Sequence, residues 1–406
     1  METIKILDAG LLTTVQDLGR YGFQRYGVSA SGVMDEYSAK IANKLVGNKV
    51  GEAVLETTLK GVQIEFLQST AVAITGGNCD VTLNGTKIEL WQSYLVNRGD
   101  ILKMGICRSG LRNYLAFAGG IDVPIIMNSK STNLKAKVGG FNGRKLMTGD
   151  ILSVGVGSLE APLTLNKHYI PTYSKDIKVG VILGQQDDHF TEAGIKTFLN
   201  ETYTVTQESD RMGIRLSSVS GATIEHKNGA DIISDGITFG AIQVPGSGQP
   251  IVMMADRQTT GGYTKIGNVI SSDLAKLAQA TPGTKVKFVE YTLEQAVQAI
   301  KNNDIDVTVN KGKWYKIVLS ADKTTESCFV KVYDLNGQFV GETDSIAWTE
   351  NSEPTYYSIG FANKQTGTVD FDAYRAYYPA ADISTYTLNI SPVSYTHLRA
   401  HETDSY

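Results

Sequence analysis

Val81-Thr-Leu-Asn-Gly-Thr-Lys-Ile-Glu-Leu90 sets Asn84-Gly85 between two short β-branched or aliphatic runs, Val81-Thr-Leu83 and Ile88-Glu-Leu90. Asn and Gly are the residues that accept the positive φ angles of a two-residue hairpin turn, so the stretch predicts a β-hairpin. The same punctuation recurs outward from it, in Val72-Ala-Ile-Thr75 before Gly76-Gly77, Tyr114-Leu-Ala-Phe117 before Gly119-Gly120, and Val179-Gly-Val-Ile-Leu183. From Ile4 to about Phe288 the chain therefore reads as mainly β. Three windows carry apolar residues at helical spacing instead: Met34 to Val46, Asp273 to Ala280 and Leu293 to Ile300.

With 406 residues, the chain is long enough for two or three domains, each with its own core. It has 42% hydrophobic and 20% charged residues and a net charge of -4, an ordinary globular composition without the basic footprint that nucleic acid or an acidic membrane surface requires. Cys79, Cys107 and Cys328 leave an odd count with no metal-ligand spacing, which favours a reducing, cytoplasmic setting. Met1-Glu-Thr-Ile-Lys5 lacks a basic region followed by an apolar stretch and no run of about 18 apolar residues occurs, so a chain neither exported nor membrane-spanning is expected. Small or neutral partners are expected.

A polar joint near Asn166 to Lys178 divides the front part into units 1–168 and 169–302. Composition changes beyond Asn302: ten of the twenty tyrosines lie at or after Tyr315, and the alternating runs Trp314 to Leu319, Phe329 to Asp334, Tyr356 to Phe361 and Val369 to Tyr374 predict strands. Residues 303–390 read as a partial β-sandwich, since about 80 residues fall short of the roughly 100 of a complete one. Ser394-Tyr-Thr-His-Leu-Arg-Ala-His-Glu-Thr403 back-translates into a string resembling a transposase sequencing adapter, so 391–406 is read as an adapter-derived or disordered tail. Segment 303–390 is then either a chimeric join or a genuine accessory domain. His397 and His401, four apart, lack the further ligands that a metal site needs.

The densest polar signal is Asp256-Arg-Gln-Thr-Thr-Gly-Gly-Tyr263, which ends the apolar run Ile251 to Ala255. Arg257 suits a carboxylate, Asp256 and Gln258 suit an amide, and Thr259, Thr260 and Gly261-Gly262 suit a small-ligand pocket, with Tyr263 closing the run. The alternative is a strand-end turn braced by internal hydrogen bonds. Gln243, in Gly240-Ala-Ile-Gln-Val-Pro245, joins the same candidate set. His189, beside Asp187 and Asp188, has the setting of an oriented general base or of a hydrogen-bonded loop residue. Asp210, Arg211 and Arg215 in Ser209-Asp-Arg-Met-Gly-Ile-Arg215 add acid and guanidinium groups. Near the N-terminus, Arg20 is a ligand candidate or the partner of Asp17 in an ion pair, and Asp35 is either a ligand or the N-cap of the Met34 helix. No Walker-type glycine loop or nucleophile elbow accompanies these groups.

These strings together resemble the KipA family, also called allophanate hydrolase subunit 2 or the PxpC component of 5-oxoprolinase. The resemblance covers about Ile4 to Ala299 and rests on T-T-V-Q-D-L-G-R at Thr13, A-V-L-E at Ala53, A-G-G-I-D-V-P at Ala118, D-R-M-G at Asp210, G-A-I-Q-V-P at Gly240 and D-R-Q-T-T-G-G-Y at Asp256. Asn128-Ser-Lys130 departs from the family's Gly-Ser-Arg, and lysine does not reproduce a bidentate arginine contact. The resemblance implies tandem cyclophilin-like β-barrel units and a KipI-like (PxpB) partner. One implied activity is ATP-dependent opening of 5-oxoproline to glutamate with a further PxpA-like subunit, ATP being used by the complex. A second is carboxyl transfer in a biotin-dependent urea carboxylase, with carboxybiotin brought by another protein because no A-M-K-M sequence occurs here. A third is regulation, by antagonising a KipI-type kinase inhibitor. For an enzyme subunit, Asp256, Arg257, Gln258 and His189 are the expected catalytic groups and Arg20, Asp210, Arg211, Arg215, Gln243 and Thr259 to Tyr263 the expected substrate-binding ones, with Arg257 or Arg215 on the carboxylate of 5-oxoproline, Gln258, Thr259 and Thr260 on its lactam, and no metal site expected.

Overall fold

Strand β1 (Glu2–Asp8) buries Ile4 and Ile6 and is flanked by β4 (Gln63–Phe66) and β10 (Ile151–Val154), while β2 (Leu12–Gln16) pairs with β3 (Val54–Thr58). Two long strands, β5 (Thr70–Leu83) and β8 (Ile101–Phe117), join these to β6 (Thr86–Ile88) and β7 (Gln92–Val96), and β9 (Ile121–Asp122) completes a ten-stranded antiparallel sheet. The computed structural model describes residues 2–157, 159, 161–184 and 186–303, and beyond them the backbone of five strands.

The hairpin expected at Asn84-Gly85 is β5–β6, with Val81 opposite Ile88 and Leu83 opposite Thr86. Both turn residues have positive φ, 52° at Asn84 and 81° at Gly85. Farther along, the β5–β8 ladder shifts register between Gly76 and Val81. A Cβ on Gly76 would lie 2.3 Å from the Arg112 carbonyl oxygen, so only glycine fits that bulge. The core of this half is aliphatic and aromatic, with Ile4, Ile64, Phe66, Ile74, Leu115 and Phe117 fully buried.

The second half closes into a seven-stranded barrel. Its strands are β11 (Asp176–Leu183), β12 (Tyr203–Val205), β13 (Gly213–Ser218), β15 (Ala241–Gln243), β16 (Ile251–Met253), β18 (Lys265–Val269) and β19 (Lys285–Glu290). Strand β19 shows why they close: Val286 and Phe288 point into the core while Lys285 and Lys287 alternate to solvent. A separate ribbon, β14 (Asp231–Gly236) with β17 (Thr260–Tyr263), pairs only with itself.

The expected helices form as α1 (Glu36–Leu45), α3 (Leu274–Ala278) and α4 (Leu293–Asn303), and α2 (Glu192–Asn200) is added to them. Asp35 is the N-cap of α1, its Oδ1 accepting from the Ser38 amide at 3.0 Å. The halves interlock. Met34, just before α1, packs into the core of the second barrel. Residues 1–305 form one compact unit.

Residues 306–406 form a second unit. Strands β20 (Tyr315–Asp322), β21 (Ser327–Asp334), β22 (Phe339–Glu342), β23 (Ile346–Ala347) and β24 (Tyr386–Ile390) make one antiparallel sheet. Strands β20 and β21 fall where the tyrosine-rich runs predict them. The expected strands at Tyr356 to Phe361 and Val369 to Tyr374, and the adapter-like Ser394 to Thr403 with His397 and His401, lie outside the described residues. No helix among the described residues is long and apolar enough to cross a membrane.

Candidate functional site

The Asp256–Tyr263 run sits at the seam of the two halves, and a buried chain of charged and polar groups holds it there. The Arg211 fork donates from Nε to Asp256 Oδ2 at 2.9 Å and from Nη2 to Asp256 Oδ1 at 3.2 Å. Its Nη2 also donates to the Gly32 carbonyl at 2.6 Å, and Nη1 donates to Glu56 Oε1 on β3. Glu56 is 2% exposed, and its Oε2 accepts from the Met34 amide at 2.8 Å and from the Tyr114 hydroxyl at 2.9 Å. One guanidinium thus ties the strand end of the second barrel to a carboxylate of the first. Burial works against the Arg211 charge, yet Asp256 and Glu56 outweigh it and raise the pKa. Arg211 and Asp256, expected to face a substrate, instead satisfy each other.

The chain of contacts continues through Gln279. Its Oε1 accepts the Leu111 and Arg112 amides, and its Nε2 donates to the Arg112 carbonyl and to Asp35 Oδ2 at 2.9 Å. Burial raises the Asp35 pKa, against the hydrogen bonds from Ser38 and Gln279. Above the ordinary aspartate value near 3.8, the folded chain keeps a proton that the unfolded chain has lost. Stability therefore declines as pH rises from that value through the raised one. Asp35→Asn is expected to remove this component, and thermal melts at successive pH values should show a flatter dependence than the parent chain gives.

Arg257 is placed differently. It is 7% exposed, with Nε donating to the Ile237 carbonyl at 3.2 Å, Nη1 to the Met254 carbonyl at 3.3 Å, and the guanidinium 5.4 Å from the Phe239 ring centre. No carboxylate pairs with it among the described residues. Burial lowers its pKa, with some compensation from nearby Tyr21, but a guanidinium stays protonated in proteins. The result is a charged, partly desolvated fork with anion-binding capacity to spare. Ser29 Oγ fixes the backbone here by donating to the Arg257 carbonyl at 2.6 Å.

Next to it, Gln258 and Gln243 converge on β17. A Cβ on Gly261 would lie 2.6 Å from Gln243 Nε2 and 3.4 Å from Gln258 Nε2, so the glycine admits both amides. Gln243 Nε2 and Gln258 Oε1 are buried without a hydrogen-bond partner among the described residues. The Thr259 carbonyl accepts from the Ile237 amide, and Thr260 pairs with Gly236, Gly261 with Asp235 and, at the other end of the ribbon, Tyr263 with Asp231. Gly262 lies between them on β17.

The remaining expected residues are spread out. Arg20 is fully buried and donates to the Ile126 and Ser131 carbonyls, while Asp17 accepts from Ser129, Ser131 and the Lys130 amide. The Asp17–Arg20 ion pair does not form, because each group finds partners in the 126–131 loop. That loop places Asn128 at φ 61°, a conformation glycine adopts freely and asparagine tolerates, which accounts for Asn where the family resemblance has Gly. Asp210 closes a turn by accepting the Met212 and Gly213 amides. Arg215 is exposed on β13, across from Ile251. His189 lies in a short 3-10 turn, and its ring makes no hydrogen bond among the described residues. A different histidine is anchored: His226 Nε2 bonds the Val244 carbonyl and Thr264 Oγ1, and its ring packs on Phe190.

Glu56, Tyr114, Arg112 and Gln279 carry no local mark of a site group in the sequence. Glu56 ends the A-V-L-E string and Tyr114 opens an apolar run, so each reads locally as strand. Only their long-range partners reveal them. Among the described residues, no three His, Cys, Asp or Glu side chains gather to hold a metal.

Residues 26–290 match the family model for the carboxyltransferase domain, subdomain A and B. The chain is 36% identical to the C component of 5-oxoprolinase from Haemophilus influenzae over 309 residues, covering 74% of this chain and 96% of that protein. It is likewise 36% identical to the C component of 5-oxoprolinase from Escherichia coli over 296 residues, covering 73% and 94%. The solved structure of Kluyveromyces lactis urea carboxylase superposes with a TM-score of 0.69 at 32% identity, over 82% of this chain and 33% of that one. A match of this extent settles membership: the chain belongs to the carboxyltransferase domain family, subdomain A and B.

Proposed function

We propose that this chain is a subunit of an ATP-dependent 5-oxoprolinase, working with KipI-like and PxpA-like subunits to convert 5-oxoproline to L-glutamate. The observation that carries the reading is Arg257, a buried guanidinium with no carboxylate partner among the described residues, beside two amide groups with unused hydrogen-bonding capacity. A small ring bearing one carboxylate and one lactam matches that set. The near full-length similarity to proteins named as components of 5-oxoprolinase supports the same substrate. Arg257 would hold the carboxylate by a bidentate contact, and Arg211 with Asp256 would fix the strand end that presents it. ATP would be handled at the level of the complex.

A second reading is carboxyl transfer from a partner's biotin to urea, favoured by the family model and by the likeness to urea carboxylase. The two separate in one experiment. Purified chain is mixed with the KipI-like and PxpA-like subunits, ATP and 5-oxoproline, and glutamate is measured against a mixture lacking this chain. Glutamate that depends on the chain supports the first reading. None above the control rejects it, and carboxylation of urea with a biotin carboxylase partner would then establish the second.

A further inference from the structure

Lys265 on β18 is fully buried, and among the described residues its ammonium donates to one group, Asp235 Oδ2 at 3.0 Å, whose side chain is 56% exposed. An ammonium held out of water with a solvated partner is costly, and lysine is rarely found fully buried. Three donors are available on an ammonium and Asp235 takes one. Across the β15–β18 ladder Lys265 faces Gln243, which is 2% exposed and whose Nε2 has no partner among the described residues. Gln243 and Gln258 both approach Gly261, and Gly261 pairs with Asp235 across the ribbon. Lys265, Gln243, Gln258 and Asp235 thus all meet the β14–β17 ribbon, presenting ammonium and amide N–H groups together with one unused amide oxygen.

That set is the complement of a lactam. We propose that Lys265, Gln243 and Gln258 form a lactam-recognition site, in which Lys265 and Gln243 donate to the lactam carbonyl oxygen and Gln258 Oε1 accepts from the lactam N–H. The assignment rests on the 5-oxoproline reading and adds to it a residue, Lys265, with a stated ligand atom. The ammonium would bind more strongly as negative charge grows on that oxygen, so its loss should lower kcat as well as raise KM. Among the described residues the β14–β17 ribbon forms no ladder with the barrel strands, so displacing it leaves the barrel's strand pairing intact.

The test is Lys265→Met in the assembled three-subunit mixture, with 5-oxoproline as substrate and cyclopentanecarboxylate as inhibitor. The inhibitor keeps the ring and carboxylate but has no lactam. Methionine suits a buried site, and the exposed Asp235 carboxylate keeps the Gln186 side-chain amide at 3.2 Å and the Gly236 amide at 2.7 Å as donors, so the variant is expected to melt at or above the parent temperature. The expected result is a fall in kcat/KM for 5-oxoproline on the order of 30-fold, with inhibition by cyclopentanecarboxylate unchanged. Unchanged kcat/KM, equal weakening of both ligands, or a lowered melting temperature that accounts for the loss would each overturn the proposal. Calorimetry of 5-oxoproline binding without ATP separates the two levels. Lys265-dependent binding in a mixture that makes no glutamate rejects the reaction but keeps the site, whereas binding that ignores Lys265, or none at all, rejects the site.

Discussion

Glu56→Ala should be among the most damaging single substitutions in the front unit, lowering stability by about 3–5 kcal/mol, the usual cost of removing one partner from a buried ion pair. The carboxylate is 2% exposed and serves Arg211, the Met34 amide and the Tyr114 hydroxyl, with Arg112 Nε at 3.9 Å. Its truncation leaves two buried guanidinium groups facing a cavity, and Arg112 Nε already has no hydrogen-bond partner among the described residues. Urea titration of the purified chain would measure the loss. The effect should reach the candidate site, because Arg211 is then left with Asp256 and the Gly32 carbonyl. A double-mutant cycle identifies the cause: with Arg211→Met in the background, Glu56→Ala should cost clearly less than it does alone, since one of the two stranded cations is gone. Additive losses would show that Glu56 acts through packing instead.

This network explains which parts of the molecule its sequence discloses. The Asn84-Gly85 turn is legible because four neighbouring residues determine a tight hairpin. The start of α1 is legible in the same way, since Asp35 caps an amide three residues ahead. The roles of Arg211, Asp256 and Glu56 are not, because the contact between Arg211 and Glu56 spans 155 positions and nothing local distinguishes a saturated arginine from a free one. The fold therefore divides the polar run at Asp256 in a way its composition does not: Asp256 turns inward to brace, while Arg257 and Gln258 keep unused capacity. Lys265 is hidden for the opposite reason. A lysine at the start of a strand reads as a solvent-facing residue, and only the ribbon lying above it makes it a buried one.

Arg257→Met carries the largest expected effect on activity. In the three-subunit mixture, kcat/KM for 5-oxoproline should fall by about 10- to 100-fold, corresponding to the roughly 1.5–3 kcal/mol of a hydrogen bond to a charged group. Stability should change little, in contrast to Glu56→Ala, because the partners of Arg257 are two backbone carbonyls and an aromatic face, with no carboxylate left stranded. Arg257→Lys adds a second measurement. It retains the positive charge but loses the planar fork, so it should recover only part of the lost activity if the contact is bidentate. Cyclopentanecarboxylate should lose affinity along with 5-oxoproline in both variants, since the carboxylate is common to the two ligands, whereas Lys265→Met should spare it. If Arg257→Met instead left both affinities intact, the carboxylate would have to be bound by another cation, and the exposed Arg215 would be the next to replace.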